Sequence, residues 1–293
     1  MEFHHAVIIW YYLSSMYIAI DLGKSSTRVA STLDLVEIHK ISKFSTDENL
    51  ETEKKLISDA IYEVSDGNTV EAIALGIPGV VDKENRKFIK CANYPVLNGL
   101  GFLALLPETL KGLKIVVEND AALGALGEAY FGSGKDYTVV SYLTLSSGVG
   151  GARVKKLEKG YDLINAEPGH QVICEKDEVS DKSGLVGTLE SFCSGHFFEK
   201  RYNAKAEPNT DKEVWKEYAK HLSTGILNIM AMWNPDVIVL GGGVSLFNFE
   251  SFYPFLIEEL EIQTFFQIPQ IKKAYLGDNA GLVGGFVLLK ENL

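Results

Sequence analysis

Residues 114–132 (KIVVENDAALGALGEAYFG) contain a strand, a polar junction and a helix in direct succession. Residues 115–117 are a run of β-branched side chains, which is typical of the end of a buried strand. Glu118, Asn119 and Asp120 follow, and the Ala- and Leu-rich segment after them predicts a helix. Because α/β proteins place reactive groups at the carboxyl ends of strands, Asp120 is a candidate for chemistry.

A simpler interpretation of this junction is that Asn119 or Asp120 is only the N-cap of the helix, since both residue types are favoured there. The two roles are compatible, because the positive end of the helix dipole would favour the ionised carboxylate that a general base needs. We therefore expect Asp120 to begin the helix in its ionised form.

The composition is that of an acidic globular chain. Its 293 residues are enough for two domains of ordinary size, and a net charge of -11 disfavours nucleic acid and anionic membranes as partners. The three cysteines contain no CxxC pair, so free thiols in a reducing cytoplasm are expected. The apolar run at residues 6–13 is too short for a membrane span, and residues 1–15 are predicted to be an N-terminal extension before the first strand.

The rest of the chain alternates strand and helix patterns. Strands are predicted at residues 16–20, 29–32, 72–77, 138–145, 152–155 and 236–240. Helices are predicted at residues 51–64, 103–110, 212–233 and 282–290. Residues 160–190 are rich in Gly, Asp, Pro and Lys, and they predict a long irregular segment of the kind that is usually functional.

Two turns of similar design connect predicted strands, at residues 21–28 (DLGKSSTR) and 146–151 (SSGVGG). Backbone N–H groups at such a turn can bind phosphate, and glycine lets the backbone approach closely. Neither turn is a GxxxxGK[ST] or GxGxxG motif. Their repetition in both halves indicates an internal duplication. A further glycine run at residues 241–243 follows a strand and is a third candidate nucleotide contact, whereas Gly284 and Gly285 predict close helix packing.

Taken in order, these motifs resemble those of the ROK family of sugar kinases, repressors and open reading frames, within the actin-like ATPase superfamily. The resemblance covers the chain from residue 16 to its end. The segments that carry it are DLGKSST (21–27), GIPGVVD (76–82), ENDAA (118–122), SSGVGG (146–151), EPGH (167–170), GTLE (187–190), VLGGGVS (239–245) and GDNAGLVG (277–284).

The resemblance implies an α/β, two-lobed actin-like ATPase fold of the ribonuclease H-like type, with a mixed sheet flanked by helices in each lobe. The N-terminal lobe would span residues 16–118 and be joined by a terminal helix at residues 278–293. The C-terminal lobe would span residues 119–277 and carry the second phosphate motif and the adenosine motif.

The resemblance also implies an ATP- and Mg²⁺-dependent sugar kinase, first of all a glucokinase acting on the 6-OH of glucose, and a cytoplasmic homodimer. Asp120 would be the general base. The sugar would be bound by Asn93, Asn119, Asp120, Glu167, His170 and Glu190. ATP would be bound by Asp21, Gly23, Lys24, Ser25, Thr27, Ser147, Gly148, Gly150, Gly241, Gly242 and Gly243. Asp21 would also serve Mg²⁺ through water.

Two departures from the family pattern bear on these expectations. Asp181, Ser183 and Thr188 stand where the cysteines of a CxCGxxGC motif would be, and a tetrahedral zinc site needs about four ligands; we therefore predict no structural zinc. Residues 92–97 (ANYPVL) replace the sugar loop PNLPGW. The acceptor could therefore be N-acetylmannosamine, N-acetylglucosamine, fructose or allose. A non-catalytic sugar sensor or repressor is disfavoured, because only 20 residues precede the first phosphate motif.

Overall fold

The computed structural model describes residues 15–91, 94–110, 112–181, 183–207, 209–265 and 267–293. The strands, in chain order, are β1 (Ser15–Leu22), β2 (Thr27–Thr32), β3 (Lys40–Phe44), β4 (Thr69–Ile77), β5 (Val80–Asp82), β6 (Lys87–Lys90), β7 (Lys114–Asn119), β8 (Val139–Leu145), β9 (Val149–Lys156), β10 (Tyr161–Ala166), β11 (Val237–Gly241) and β12 (Gln270–Lys273). The α-helices are α1 (Leu50–Ser65), α2 (Asp120–Tyr130), α3 (Leu189–Cys193), α4 (Gly195–Tyr202), α5 (Lys212–Trp233), α6 (Gly242–Gln263) and α7 (Ala280–Asn292).

Two mixed sheets of the same topology form the framework. Their strand orders are β3-β2-β1-β4-β7 and β10-β9-β8-β11-β12. In each sheet the first three strands are antiparallel and the remaining two run parallel to the central one. The repeated order supports the internal duplication that the two glycine turns indicate.

Each sheet has a hydrophobic core of its own. Apolar side chains of β1 and β4 pack against α1 in the first core, and those of β8 and β11 pack against α5 and α6 in the second. Helix α1 begins at the N-cap Asn49, whose side chain accepts hydrogen bonds from the N–H groups of Glu51 and Thr52. The amphipathic patterns predicted for α1 and α5 therefore correspond to the faces that these cores bury.

Helices α2 and α7 cross in close contact between the two sheets. Helix α7 packs on β1 and β4, and α2 packs on β8 and β9. A Cβ atom on Gly284 would overlap the carbonyl oxygen of Leu123, and one on Gly127 would overlap that of Ala280. The close packing expected at the C-terminal glycines is confirmed. It matters for function because α2 begins with Asp120.

The structure corrects two segments of the expected secondary structure. The helix predicted at residues 103–110 is two separate 3₁₀ turns, Phe102–Leu105 and Glu108–Leu110, with Pro107 between them. The segment predicted to be irregular contains β10, which is an edge strand whose side chains are largely solvent-exposed. A strand with few buried positions carries little apolar alternation, so its pattern is weak in the sequence.

The N-terminal extension predicted for residues 1–15 lies outside the described residues except for Ser15, which begins β1. Within the ranges that the structure describes, no helix is both long and apolar enough to cross a membrane.

Candidate active site

The parallel strands β1, β4 and β7 end at one edge of the first sheet, and two aspartates lie there. Asp21 pairs in register with Gly76, which in turn pairs with Glu118. Asp120 follows β7 directly as the first residue of α2. Since parallel strands end at the same edge, the fold brings Asp120 close enough to Asp21 for the two carboxylates to interact.

Asn119 is the N-cap of α2. Its Oδ1 accepts hydrogen bonds from the N–H groups of Ala121 at 2.9 Å and Ala122 at 3.1 Å, and its Nδ2 donates to the carbonyl of Gly79 at 3.3 Å. The N–H of Ala121 also lies 2.8 Å from Oδ1 of Asp120. Asn119, and not Asp120, is therefore the N-cap of α2, and the start of the helix does not depend on the Asp120 side chain.

The environment of Asp120 favours its protonated form more than the helix terminus alone would suggest. Burial raises the pKa of Asp120 to about 7, and the carboxylates of Asp21 and Glu167 add to this rise. The hydrogen bond from the N–H of Ala121 acts in the opposite direction. Burial thus raises the pKa of Asp120 above the value that the helix terminus alone was expected to favour. Such a pKa suits a general base.

Asp21 is a buried carboxylate paired with the cationic side chain of Arg28. Nη1 of Arg28 lies 3.1 Å from Oδ2 of Asp21, and Nη2 of Arg28 lies 3.0 Å from Oδ2 of the exposed Asp278. Burial raises the pKa of Asp21, while the charge of Arg28 opposes the rise. A hard oxygen donor beside a second carboxylate fits Mg²⁺ held mainly by phosphate and water.

The first glycine hairpin connects β1 to β2 and carries Lys24 and Ser25 at an exposed tip. The N–H of Gly23 donates to the carbonyl of Ser26 at 3.1 Å, and a Cβ atom on Gly23 would lie 2.7 Å from that oxygen. The turn therefore needs glycine at this position. Its exposed side chains and N–H groups are available to an anion.

Thr27 holds this hairpin from the inside. It is fully buried, and its hydroxyl donates to the buried carboxylate of Glu53 in α1 at 2.5 Å. Thr46 completes the support by donating to the carbonyl of Gly23 at 2.8 Å. The burial of Thr27 argues against the direct phosphate contact expected for it, and Glu53 is a supporting residue that the sequence reasoning did not find.

The second glycine hairpin connects β8 to β9 and lies against the start of α2. A Cβ atom on Gly150 would lie 3.1 Å from the Cβ of Ala121. The N–H of Val149 donates to Oε2 of the buried Glu190 at 2.9 Å, so this carboxylate holds the hairpin in place. Ser147 is exposed at the tip. The phosphate-type turn and the residue expected to bind sugar are thus in direct contact.

The Glu167–His170 segment packs beneath the second hairpin. A Cβ atom on Gly169 would overlap the carbonyl oxygen of Val149, which leaves this turn little freedom. His170 and Glu190 both interact electrostatically with Glu167, which interacts in turn with Asp120. The fold therefore gathers these predicted sugar residues near Asp120, whereas Asn93 lies outside the described residues.

A cavity of about 280 Å³ lies beside the second hairpin. It is lined by Ser146, Ser147, Ala206, Glu207, Gly243, Val244, Phe247 and Asn248. Gly242 has a φ of +79°, and a Cβ atom there would lie 2.5 Å from the carbonyl oxygen of Leu145. The side chain of Phe247 is 66 % exposed at this cavity. Phe247 and Glu207 were missed from the sequence; the position of Phe247, one turn after Gly243, was the available signal.

The positions of the missing cysteines form a hydrogen-bonded group around His170. Nδ1 of His170 lies 2.8 Å from Oδ2 of Asp181, and Asp181 also interacts with Ser183 and Thr188. Within the described part of the chain, no group of three or more His, Cys, Asp and Glu residues could hold a metal ion. The absence of structural zinc stays a prediction.

Comparison with known proteins identifies the family. The sequence profile of the ROK family matches residues 17–292, which is nearly the whole chain. The chain belongs to the ROK family. A glucokinase of Thermotoga maritima is 26 % identical to this ROK protein over 94 % of this chain and 98 % of the relative. An N-acetyl-D-glucosamine kinase of Histophilus somni is 29 % identical over 93 % of this chain and 98 % of the relative.

A solved ROK structure shares the fold. The ROK family glucokinase of Streptomyces griseus, solved in complex with glucose and AMPPNP, is 25 % identical to this ROK protein and has a TM-score of 0.76. The similarity covers 93 % of this chain and 98 % of that one. The predicted actin-like ATPase fold, with two mixed sheets flanked by helices, is confirmed.

Proposed function

We propose that this ROK protein transfers the γ-phosphoryl group of ATP to a hexose hydroxyl, with the 6-OH of glucose as the preferred acceptor. The observation that carries the proposal is Asp120, whose pKa of about 7 lets it take a proton near neutral pH. It lies at a strand end beside Asp21, and the next residue, Ala121, packs against Gly150 of the second glycine hairpin. The glucokinase and N-acetyl-D-glucosamine kinase relatives support this class of reaction.

Separate groups of residues would bind ATP, bind the sugar and take the proton of the acceptor hydroxyl. When bound, ATP with Mg²⁺ would supply the phosphoryl group and neutralise its charge. Asp120 would orient the acceptor hydroxyl and take its proton, and Asp21 would face Mg²⁺ through water. The two hairpins would bind phosphate through Lys24, Ser25, Ser147 and backbone N–H groups. The sugar hydroxyls would be bound by Asn93, Asn119, Glu167, His170 and Glu190.

We also propose that the chain divides into two lobes, residues 16–118 with 278–293 and residues 119–277. The packing of α7 on β1 and β4 supports the assignment of the terminal helix to the first lobe. Closure of two lobes around substrates would exclude water and limit ATP hydrolysis. A cytoplasmic location and a homodimer stay predictions.

The decisive experiment measures ADP release with ATP and Mg²⁺ over a panel of sugars. The panel should contain glucose, fructose, allose, N-acetylglucosamine and N-acetylmannosamine, because the altered loop at residues 92–97 and the N-acetylglucosamine kinase relatives leave a second acceptor class to test. Glucose is expected to give the highest kcat/KM. ADP release that no sugar stimulates would contradict the proposed function.

The pKa of Asp120 predicts how activity depends on pH. A base must be ionised, so kcat/KM for the sugar is expected to fall below an apparent pKa near 7 and to level off above it. The profile should be measured from about pH 5.5 to 9 at limiting sugar. A flat profile down to about pH 5.5 would show that a carboxylate with an ordinary pKa, or no base, limits the reaction.

The exposed ring of Phe247 predicts a contact with the adenine base. Stacking on an aromatic ring contributes about 1–3 kcal/mol per base, so Phe247→Ala should raise KM for ATP roughly 5- to 160-fold. KM for the sugar should stay unchanged. Tyr62→Ala is the matched control, because this aromatic residue of α1 is 81 % exposed and does not line the cavity. Equal KM values for ATP in both variants would show that the adenine base binds elsewhere.

A further inference from the structure

His170 and Asp181 form a fixed pair at the edge of the candidate sugar site. Nδ1 of His170 lies 2.8 Å from Oδ2 of Asp181. The side chain of Asp181 is fully buried, whereas that of His170 is 38 % exposed. One ring nitrogen is therefore occupied by a buried group, and Nε2 is the nitrogen left for a ligand.

Oδ1, the second carboxylate oxygen of Asp181, binds the turn at residues 183–185. Oδ1 accepts hydrogen bonds from the N–H of Ser183 at 2.8 Å, the hydroxyl of Ser183 at 2.6 Å and the N–H of Leu185 at 3.2 Å. Although burial opposes ionisation, these bonds and those from His170 and Thr188 lower the pKa of Asp181 to about 2. Asp181 is thus an ionised group that can only accept hydrogen bonds.

Both partners are held by backbone contacts as well. The N–H of Asp181 donates to the carbonyl of Leu185 at 2.8 Å, and the N–H of His170 donates to that of Glu167 at 3.1 Å. The close packing of Gly169 on Val149 restricts the histidine turn further. These contacts hold the backbone of both residues in place. The orientation of the His170 ring is then set by the hydrogen bond between its Nδ1 and Oδ2 of Asp181.

We propose that Asp181 is a positioning residue that holds the ring of His170 with a proton on Nδ1, so that Nε2 is the nitrogen that can accept a hydrogen bond from a sugar hydroxyl. A carboxylate that can only accept requires a proton on the nitrogen facing it. The opposite nitrogen of a neutral imidazole is then an acceptor. The sugar contact rests on the proposed function, whereas the position of the proton does not.

The test is Asp181→Asn, with the nitrogen signals of His170 observed by NMR in ¹⁵N-histidine-labelled full-length protein. Asparagine keeps an oxygen for Ser183 and Leu185, whose three donors prevent the amide from flipping. The amide NH₂ then faces His170 and can only donate. We expect a proton on Nδ1 in the wild type and on Nε2 in the variant. The His170 signal is identified by its loss in His170→Gln.

Kinetics provide the second readout. Asp181→Asn should raise KM for the sugar about ten-fold, because Nε2 would then carry a proton and could no longer accept the hydrogen bond that the sugar hydroxyl donates, while KM for ATP stays unchanged. Ser183→Ala is the matched control, since it removes a bond to Oδ1 and leaves Oδ2 on His170. It should keep the wild-type proton position and sugar KM.

A proton on Nε2 in the wild type would overturn the proposal, even if the variant fails to fold. An unchanged proton position in Asp181→Asn, or an unchanged sugar KM after the proton has moved, would also overturn it. Failure of the proposed function is distinguishable, because the NMR measurement on the resting protein needs no turnover.

Discussion

Replacement of Asp120 by asparagine is expected to lower kcat about 10²- to 10⁴-fold, which is the usual contribution of a general base. Asparagine has nearly the same shape and can still accept the hydrogen bond from the N–H of Ala121. It cannot take a proton from a hydroxyl. The N-cap of α2 is Asn119, so the helix should form as before. The measurement is ADP release with the best sugar, together with thermal unfolding of both proteins.

The same variant is expected to retain or gain stability at pH 8. The pKa of Asp120 is raised from 3.8 to about 7, so the folded protein binds this proton more tightly than the unfolded chain does. The stabilisation from proton binding is full below about pH 4 and is lost as the pH rises through about 7. A neutral amide avoids the buried charge.

Asp59→Asn, at an exposed position of α1, is the control for both measurements. Turnover near the wild-type value in Asp120→Asn would refute the assignment of Asp120 as the general base.

Gly284→Ala is expected to have the largest effect on stability, a loss of about 3 kcal/mol or more in the free energy of unfolding. The new methyl group would overlap the carbonyl oxygen of Leu123 in α2. Backbone cannot turn aside as a flexible side chain can, so α2 and α7 would have to separate. Because α2 begins with Asp120, kcat should fall with stability. Chemical denaturation and ADP release measure the two effects.

Gly112→Ala is the matched control for the crossing of α2 and α7. A Cβ atom there meets no other atom within 4 Å. The change should leave both the unfolding midpoint and the activity near their wild-type values. Comparable stability of the two variants would show that the helices tolerate a wider separation than their packing suggests.

The sequence predicted most buried strands and the helices α1, α2, α5 and α7 well, but it assigned no bounds to α6, which has 22 residues. The apolar run of β11 and the amphipathic pattern of α5 place these elements within a residue of their observed bounds, because both bury a continuous face. The strands β3, β5, β6, β10 and β12 escaped prediction; β3, β10 and β12 lie at the edges of the two large sheets, and β5 and β6 form a separate two-stranded sheet. An edge strand buries few side chains, and its pairing depends on a neighbour that is distant in sequence.

The family resemblance, carried by the order of glycine turns and strand-end acids, predicted a shared site, and the structure brings Asp120 close to Asp21 and places the start of α2 against the second glycine hairpin. The resemblance did not predict how individual groups are used. Thr27 stands in a phosphate-type motif, yet its hydroxyl binds Glu53. Asp181 was recognised only as a replaced cysteine position, yet it carries the hydrogen bond to His170. Such partners are far apart along the chain, so no local pattern reveals them.

Residues 114–132 separate what local sequence determines from what tertiary contacts determine. Its β-branched run, polar junction and Ala-rich helix by themselves determined a strand, a cap and a carboxylate at a strand end, because these follow from local conformational preferences. Tertiary structure alone decided the proton affinity of Asp120. Burial and the carboxylates of Asp21 and Glu167, brought together from separate strands and turns, outweigh the helix terminus and raise its pKa to about 7.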